Sequence, residues 1–148
     1  MELKLPNKFT LSNKESKIEN KNESLSMEVG EVVECLMNTA KSLHKLHLKI
    51  TGQGSYAAHN ALSVYDKFHD FSDSLCEQYQ GATQTIIVIP SQIDVQLNTV
   101  KDAINHLQYV KDEVEDLQAK IKYSEIINLL DTIKEACNGA MYKLKFLS

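Results

Sequence analysis

Apolar residues along the 148-residue chain recur mostly at three- and four-residue steps, the period of helices that bury one face. From Ser26, the row Val29, Val32, Leu36, Ala40, Leu43, His47 and Ile50 predicts a first helix. Thr51, Gly52, Gln53 and Gly54 break it, and Ser55 can cap a second helix that runs to Gln80 and stops at Gly81. Residues 82–91 differ in kind: Thr85, Ile86, Ile87, Val88 and Ile89 lead into Pro90, a composition that predicts extended chain. Ten such residues at about 3.3 Å each reach ~33 Å. The second helix, about 27 residues at 1.5 Å rise, is ~40 Å long. The connector is therefore nearly long enough to carry the chain back along the molecule and start a third helix parallel to the second.

Ser91, Gln92, Ile93 and Asp94 resemble a capping box with Asp in place of Glu or Gln. Ile93, Leu97, Val100, Ile104, Leu107, Val114, Leu117 and Ile121 predict the third helix, and Ile126, Leu130, Ile133, Cys137, Ala140, Leu144 and Leu147 a fourth in near-heptad steps. The five-residue step from Ile121 to Ile126 is a phase slip of about 100°. A turn near Tyr123 and Ser124 accounts for it, with one long bent helix as the alternative. A short first turn, a long crossover and a tight last turn predict an all-α fold, a four-helix bundle of ferritin-like connectivity over residues 25–148. Residues 1–24, rich in Lys, Asn, Ser and Glu, read as a polar N-terminal arm outside the core.

Length fits one domain. Composition adds one exclusion: all sixteen basic residues are Lys, against twenty acidic ones, for a net charge of −4. Without Arg the chain lacks the side chain best suited to bidentate phosphate and guanine recognition, which argues against sequence-specific nucleic-acid reading. Cys35, Cys76 and Cys137 sit in apolar periodic stretches, not at metal-knuckle spacings, and read as reduced core thiols of a cytoplasmic protein. No stretch approaches the ~20 apolar residues of a membrane span, so no membrane partner is expected.

Candidate chemistry gathers around the first turn. His47 lies five residues before Gly52 and His59 five after Gly54, so antiparallel helices would hold the two imidazoles at similar heights. At 100° per residue, Asp66, Asp70, Asp73 and Glu77 fall at about −20°, +20°, −40° and 0° from His59, a single acidic stripe. Imidazole with carboxylate is a ligand set for non-haem iron, manganese or zinc. The apolar residues of this helix centre on the opposite side, so the stripe faces away from its own core. It is either a solvated face or part of a subunit interface. His47 falls on the apolar stripe of the first helix, where a core-edge histidine is the plain reading. In the third and fourth helices the inward positions are Ile, Leu, Val, Ala and Cys, and His106 has no partner three residues before it. A dinuclear centre inside the bundle is therefore not expected.

His47, eleven intervening residues and His59, with Gly52 between them and the run Asp73-Ser74-Leu75-Cys76-Glu77 following, resemble the mini-ferritins, the DNA-binding proteins from starved cells. A closer similarity, over residues 40–148, is to ferritin-like proteins of tailed phages. It lies in His59-Asn60-Ala61-Leu62, in Glu77-Gln78-Tyr79-Gln80-Gly81 and in Tyr142-Lys143-Leu144-Lys145-Phe146-Leu147. The resemblance implies a homo-oligomer in which His47 and His59 of one subunit and Asp73 and Glu77 of its two-fold mate bind iron, with ferroxidase-type activity. Two departures stand in this chain. Leu48 replaces the usual Trp, and the carboxylate pair lies one residue nearer the second histidine, so strict counting lands on Ser74 and Gln78. Asp73 and Glu77 meet the pattern only through a one-residue deletion or a local helix irregularity. The arm carries five Lys against four Glu, 5 − 4 = +1, which leaves little phosphate attraction, so any nucleic-acid binding is expected to be weak and non-specific. The competing expectation is a non-enzymatic phage protein, a virion component or host-interaction factor, that keeps the bundle without metal chemistry.

Overall fold

A computed structural model describes the backbone of residues 8–148 and the side chains from residue 17 onward. Its helices are α1 (Lys8–Lys49), α2 (Tyr56–Leu62), α3 (Tyr65–Thr83), α4 (Val100–Gln118) and α5 (Ser124–Phe146). The short α2 and the longer α3 follow one another as a single rod, so the molecule is an all-α four-helix bundle. α1 packs against α3 and α4, α4 against α5, and the α2–α3 rod against both α1 and α5. Each rod supplies one stripe to a common core: Val29, Leu36 and Leu43 from α1, Phe68 and Leu75 from α3, Leu107 and Val114 from α4, Leu130 and Ile133 from α5. Full burial of each such side chain stabilises the fold by about 1.5–3 kcal/mol relative to exposure.

α1 is longer than its apolar row. It begins at Lys8 and runs unbroken through the polar segment, because residues 8–29 hold no Gly or Pro to stop it. Residues 17–24 are all exposed. The first seven residues of the expected arm lie outside the described residues.

The connector is also longer than expected, covering residues 84–99. It runs along α1 in the same direction as that helix. The Val88 carbonyl lies against Gly30, the Gln92 amide donates to Glu34 at 3.2 Å, Lys41 pairs with Asp94 at 2.7 Å, and the Ser42 hydroxyl donates to the Val95 carbonyl at 2.8 Å. α4 then runs antiparallel to α1, with His106 beside Thr39 and Lys120 bound to Glu28 at 2.8 Å through both carboxylate oxygens. The third rod is thus parallel to the second, as the length argument requires.

The residues that begin α4 correct the expected capping box at 91–94. Ile93 is 94% exposed within the connector, and Leu97, though buried, precedes the helix. The box that forms is Thr99 with Asp102. Thr99 Oγ1 accepts from the Asp102 amide at 3.0 Å, and Asp102 Oδ2 accepts from the Asn98 and Thr99 amides at 2.9 and 3.0 Å. The hydrogen bond from the Asn98 amide, and then those from Thr99, hold the Asp102 carboxyl below its usual range against an opposing desolvation. The α4–α5 turn falls at residues 119–123, close to the predicted place. Leu147, counted in the stripe of the fourth helix, lies beyond α5 and is exposed. Among the described residues no helix is long and apolar enough to cross a membrane.

Candidate functional site

His47 stands in the last turn of α1 and His59 in the middle of α2. Between them the chain reverses through Gly52 and Gly54, whose φ values of 99° and 86° lie in the left-handed region that glycine enters without strain. The reversal brings the two imidazoles face to face, with centroids 3.6 Å apart and planes inclined by 21°. Their Nδ1 atoms are exchanged: His47 Nδ1 donates to the His59 carbonyl at 2.7 Å, and His59 Nδ1 donates to the His47 carbonyl at 2.9 Å. Both carbonyls belong to the last turns of their helices, where no intrahelical amide is left to pair them, so each ring caps the other's helix.

These bonds fix the tautomer. A carbonyl can only accept, so each Nδ1 carries hydrogen, and the neutral ring keeps its lone pair on Nε2. No buried side-chain nitrogen or oxygen among the described residues lacks a partner, so both Nε2 atoms, which make no hydrogen bond, keep some access to solvent. An imidazole held by Nδ1–H on a backbone carbonyl, with Nε2 free, has the arrangement of a metal-ligating histidine.

Two further rings complete the group. His44, one turn before His47 on α1, stacks on Tyr65 at 3.9 Å with planes only 11° apart, and Tyr65 presents its ring to His47 at 5.4 Å and 62°. All four side chains are half-buried. His44 stands off the apolar row of α1, yet the sequence does carry a signal for it, a second histidine three residues before His47 on the same helix face.

Asp73 and Glu77 occupy a different place. They sit four residues apart on the exposed side of α3, beside Asp66 and Asp70. From His59 to Asp73 is about 21 Å of axial rise, even at the 1.5 Å per residue of an ordinary α-helix. Among the described residues no three His, Cys, Asp or Glu side chains of one chain come close enough to hold a metal ion. One chain thus brings His47 and His59 together and leaves Asp73 and Glu77 elsewhere.

The single stripe shared by His59 and the carboxylates is also corrected, because the second rod is not one uniform helix. Between α2 and α3 the amides of Ser63, Val64, Asp66 and Lys67 bond to the carbonyls of Asn60, Ala61, Ser63 and Val64, all three residues back. This is 3₁₀ winding, near 120° per residue where an α-helix turns 100°. Five or six residues so wound add about 100–120° of rotation. Asp73 moves from about −40° to about +60–80° relative to His59, and Glu77 moves with it.

Elsewhere the titratable interior is quiet. His106 is buried on α4 and donates from Nε2 to Thr39 Oγ1 at 2.9 Å, since the Thr39 hydroxyl hydrogen is committed to the Cys35 carbonyl at 2.7 Å. Burial lowers its pKa below 6.5 and keeps it neutral. The three cysteines are free. Burial pushes Cys35 to about 11 and Cys137 to about 12. Cys76 is raised as well, by burial first and then by the charges of Glu77 and Asp73.

No curated protein matches this chain. Among solved structures it is similar to a hypothetical protein from Pyrococcus furiosus, at 15% identity and a TM-score of 0.61, over 82% of this chain and 85% of that one. At that identity the likeness bears on fold alone. Residues 47–144, from His47 to the last buried leucine of α5, match a family of unknown function, DUF5856, and the chain belongs to that family.

Proposed function

We propose that this protein is a ferritin-like subunit that binds iron at a two-fold interface, with His47 and His59 as the half-site of one copy and Asp73 and Glu77 as the half-site of another. The observation that carries the reading is the histidine pair, stacked, locked as the Nδ1–H tautomer and open at Nε2. Two imidazole nitrogens and two carboxylates make an N₂O₂ donor set suited to Fe(II), Mn(II) or Zn(II). One chain cannot supply it, and the outward-facing carboxylates are free to serve a second copy.

The overwound junction also supports it. In a regular helix the mini-ferritin spacing, one residue longer, would set the first carboxylate about +60° from the second histidine and about 22 Å along the axis. Here fourteen steps with a 3₁₀ stretch reach about +60–80° and about 24 Å. The irregularity offsets the missing residue. Iron enters this reading as cargo, held in a cytoplasmic, phage-related setting, and ferroxidase turnover is a separate question from binding.

The test is anaerobic titration of the purified protein with Fe(II), and with Co(II) as a spectroscopic probe, followed by exposure to oxygen or peroxide. Stoichiometric uptake by the wild type, abolished in His47→Ala, His59→Ala and Asp73→Ala, is the expected result. Absence of uptake, or Fe(II) oxidation no faster than in buffer together with no Co(II) spectrum, would leave the bundle without metal chemistry.

A further inference from the structure

We infer that Tyr65 is a positioning residue for the histidine pair, a wall that fixes the plane of His47, and that the 3₁₀ junction is what delivers it there. The inference rests on the proposed metal-binding role of the pair. In a regular helix Tyr65, six residues after His59, would lie about −120° from it, on another face. With four or five of the six steps wound at about 120°, the angle closes to about −20° to −40°, and Tyr65 stands on nearly the same face as His59. Both side chains then meet α1, His59 on His47 and Tyr65 on His44 and His47.

The contacts form a closed set. His47 is bounded on its face by His59 at 3.6 Å and by the ring of Tyr65 at 5.4 Å in an edge arrangement, while His44 stacks on Tyr65 at 3.9 Å and lies 6.3 Å from His47. Offset and edge-to-face ring pairs are preferred geometries. With His59 stacked on His47 and the Tyr65 ring in edge contact with it, ring packing opposes rotation of the imidazole away from its Nδ1 bond to the His59 carbonyl. The wall therefore holds a hydrogen bond to which it is not itself a partner, and through it the direction in which Nε2 faces. Losing the hydrogen bond that orients a ligating histidine typically changes metal affinity about 10–100-fold, and removing a wall that only supports that bond should act at the low end of that range.

The experiment compares the wild type with Tyr65→Leu, Tyr65→Phe and His44→Ala, each checked for folding by circular dichroism. ¹⁵N-detected NMR of the imidazoles in the metal-free protein reads the tautomers, and Co(II) titration reads affinity. The wild type should show His47 and His59 as fixed Nδ1–H tautomers. Tyr65→Leu should move His47 toward averaged tautomer shifts and weaken Co(II) about tenfold, Tyr65→Phe should restore both readouts, and His44→Ala should act in the direction of Tyr65→Leu. Unchanged tautomers and affinity in Tyr65→Leu overturn the inference, as does a Tyr65→Phe variant that fails like Tyr65→Leu. Should the wild type bind no Co(II), the metal reading fails by itself, and the tautomer readout still decides the role of Tyr65.

Discussion

Gly30 and Gly139 both stand inside long helices, where glycine ordinarily costs about 1 kcal/mol relative to alanine, yet their surroundings give them opposite weight. A Cβ at Gly30 would overlap the Val88 carbonyl oxygen and touch Pro90, because the connector crosses α1 there backbone to backbone. At Gly139 a Cβ would meet nothing within 4 Å. Gly30→Ala should therefore destabilise the protein by about 1–3 kcal/mol, as overpacking does, whereas Gly139→Ala should stabilise it by about 0.5–1 kcal/mol. Urea unfolding of the two variants checks the sign of each. The buried thiols give a second residue-level expectation. Cys35 and Cys137 ionise near 9.0 when unfolded but only near 11 and 12 when folded. Their contribution to stability is then fully present below pH 9 and is lost as pH rises toward 11–12. The unfolding midpoint of the wild type should fall more steeply above pH 9 than that of a Cys35→Ala/Cys137→Ala variant, and parallel slopes would exclude the effect.

At the scale of elements, what could be read in the sequence and what could not divide along physical lines. The helical rows of α1, α4 and α5 were legible because burial of one face leaves a 3.6-residue period, as in Val29, Leu36 and Leu43 or Ile126, Leu130 and Ile133. The start of α4 was not, because Ile93 and Leu97 continue that period by accident: Leu97 is buried by the connector before the helix begins, and Ile93 is exposed and packs on nothing. Only the paired hydrogen bonds of Thr99 and Asp102 distinguish the true cap. Thr99→Ala should cost about 1 kcal/mol, within the 0.5–2 kcal/mol range of lost N-caps, while Ser91→Ala should be neutral; thermal unfolding of both tests the assignment. The junction at Ser63 and Val64 was invisible for a different reason. Neither residue breaks a helix, and a change from α to 3₁₀ winding removes no hydrogen bond and leaves no mark in composition. Since that winding decides where Tyr65 and the carboxylates face, the approach of His47 to His59 was legible in the sequence, whereas the placement of Tyr65, Asp73 and Glu77 around them was not.

For the whole molecule the decisive property is that no single chain completes the proposed site. The histidines close one end of the bundle, where α1 hands over to α2, and the carboxylates lie farther along the outer side of α3, so the two half-sites can meet only across copies. A two-fold interface is self-complementary, and each copy would present its histidines to the other's carboxylates, giving two sites per dimer. That arrangement makes a mixing experiment informative. A His47→Ala/His59→Ala chain and an Asp73→Ala/Glu77→Ala chain should each take up no Co(II) alone. Unfolded together at equal concentration and refolded, they should recover about a quarter of the wild-type capacity, because each site draws its histidines and its carboxylates from independent copies and each half is intact in one copy of two. Recovery near a quarter places the two half-sites on different chains. Loss of capacity in only the histidine variant would instead assign metal to the stacked pair and exclude the carboxylates, and wild-type capacity in both variants would separate the bundle from these residues altogether.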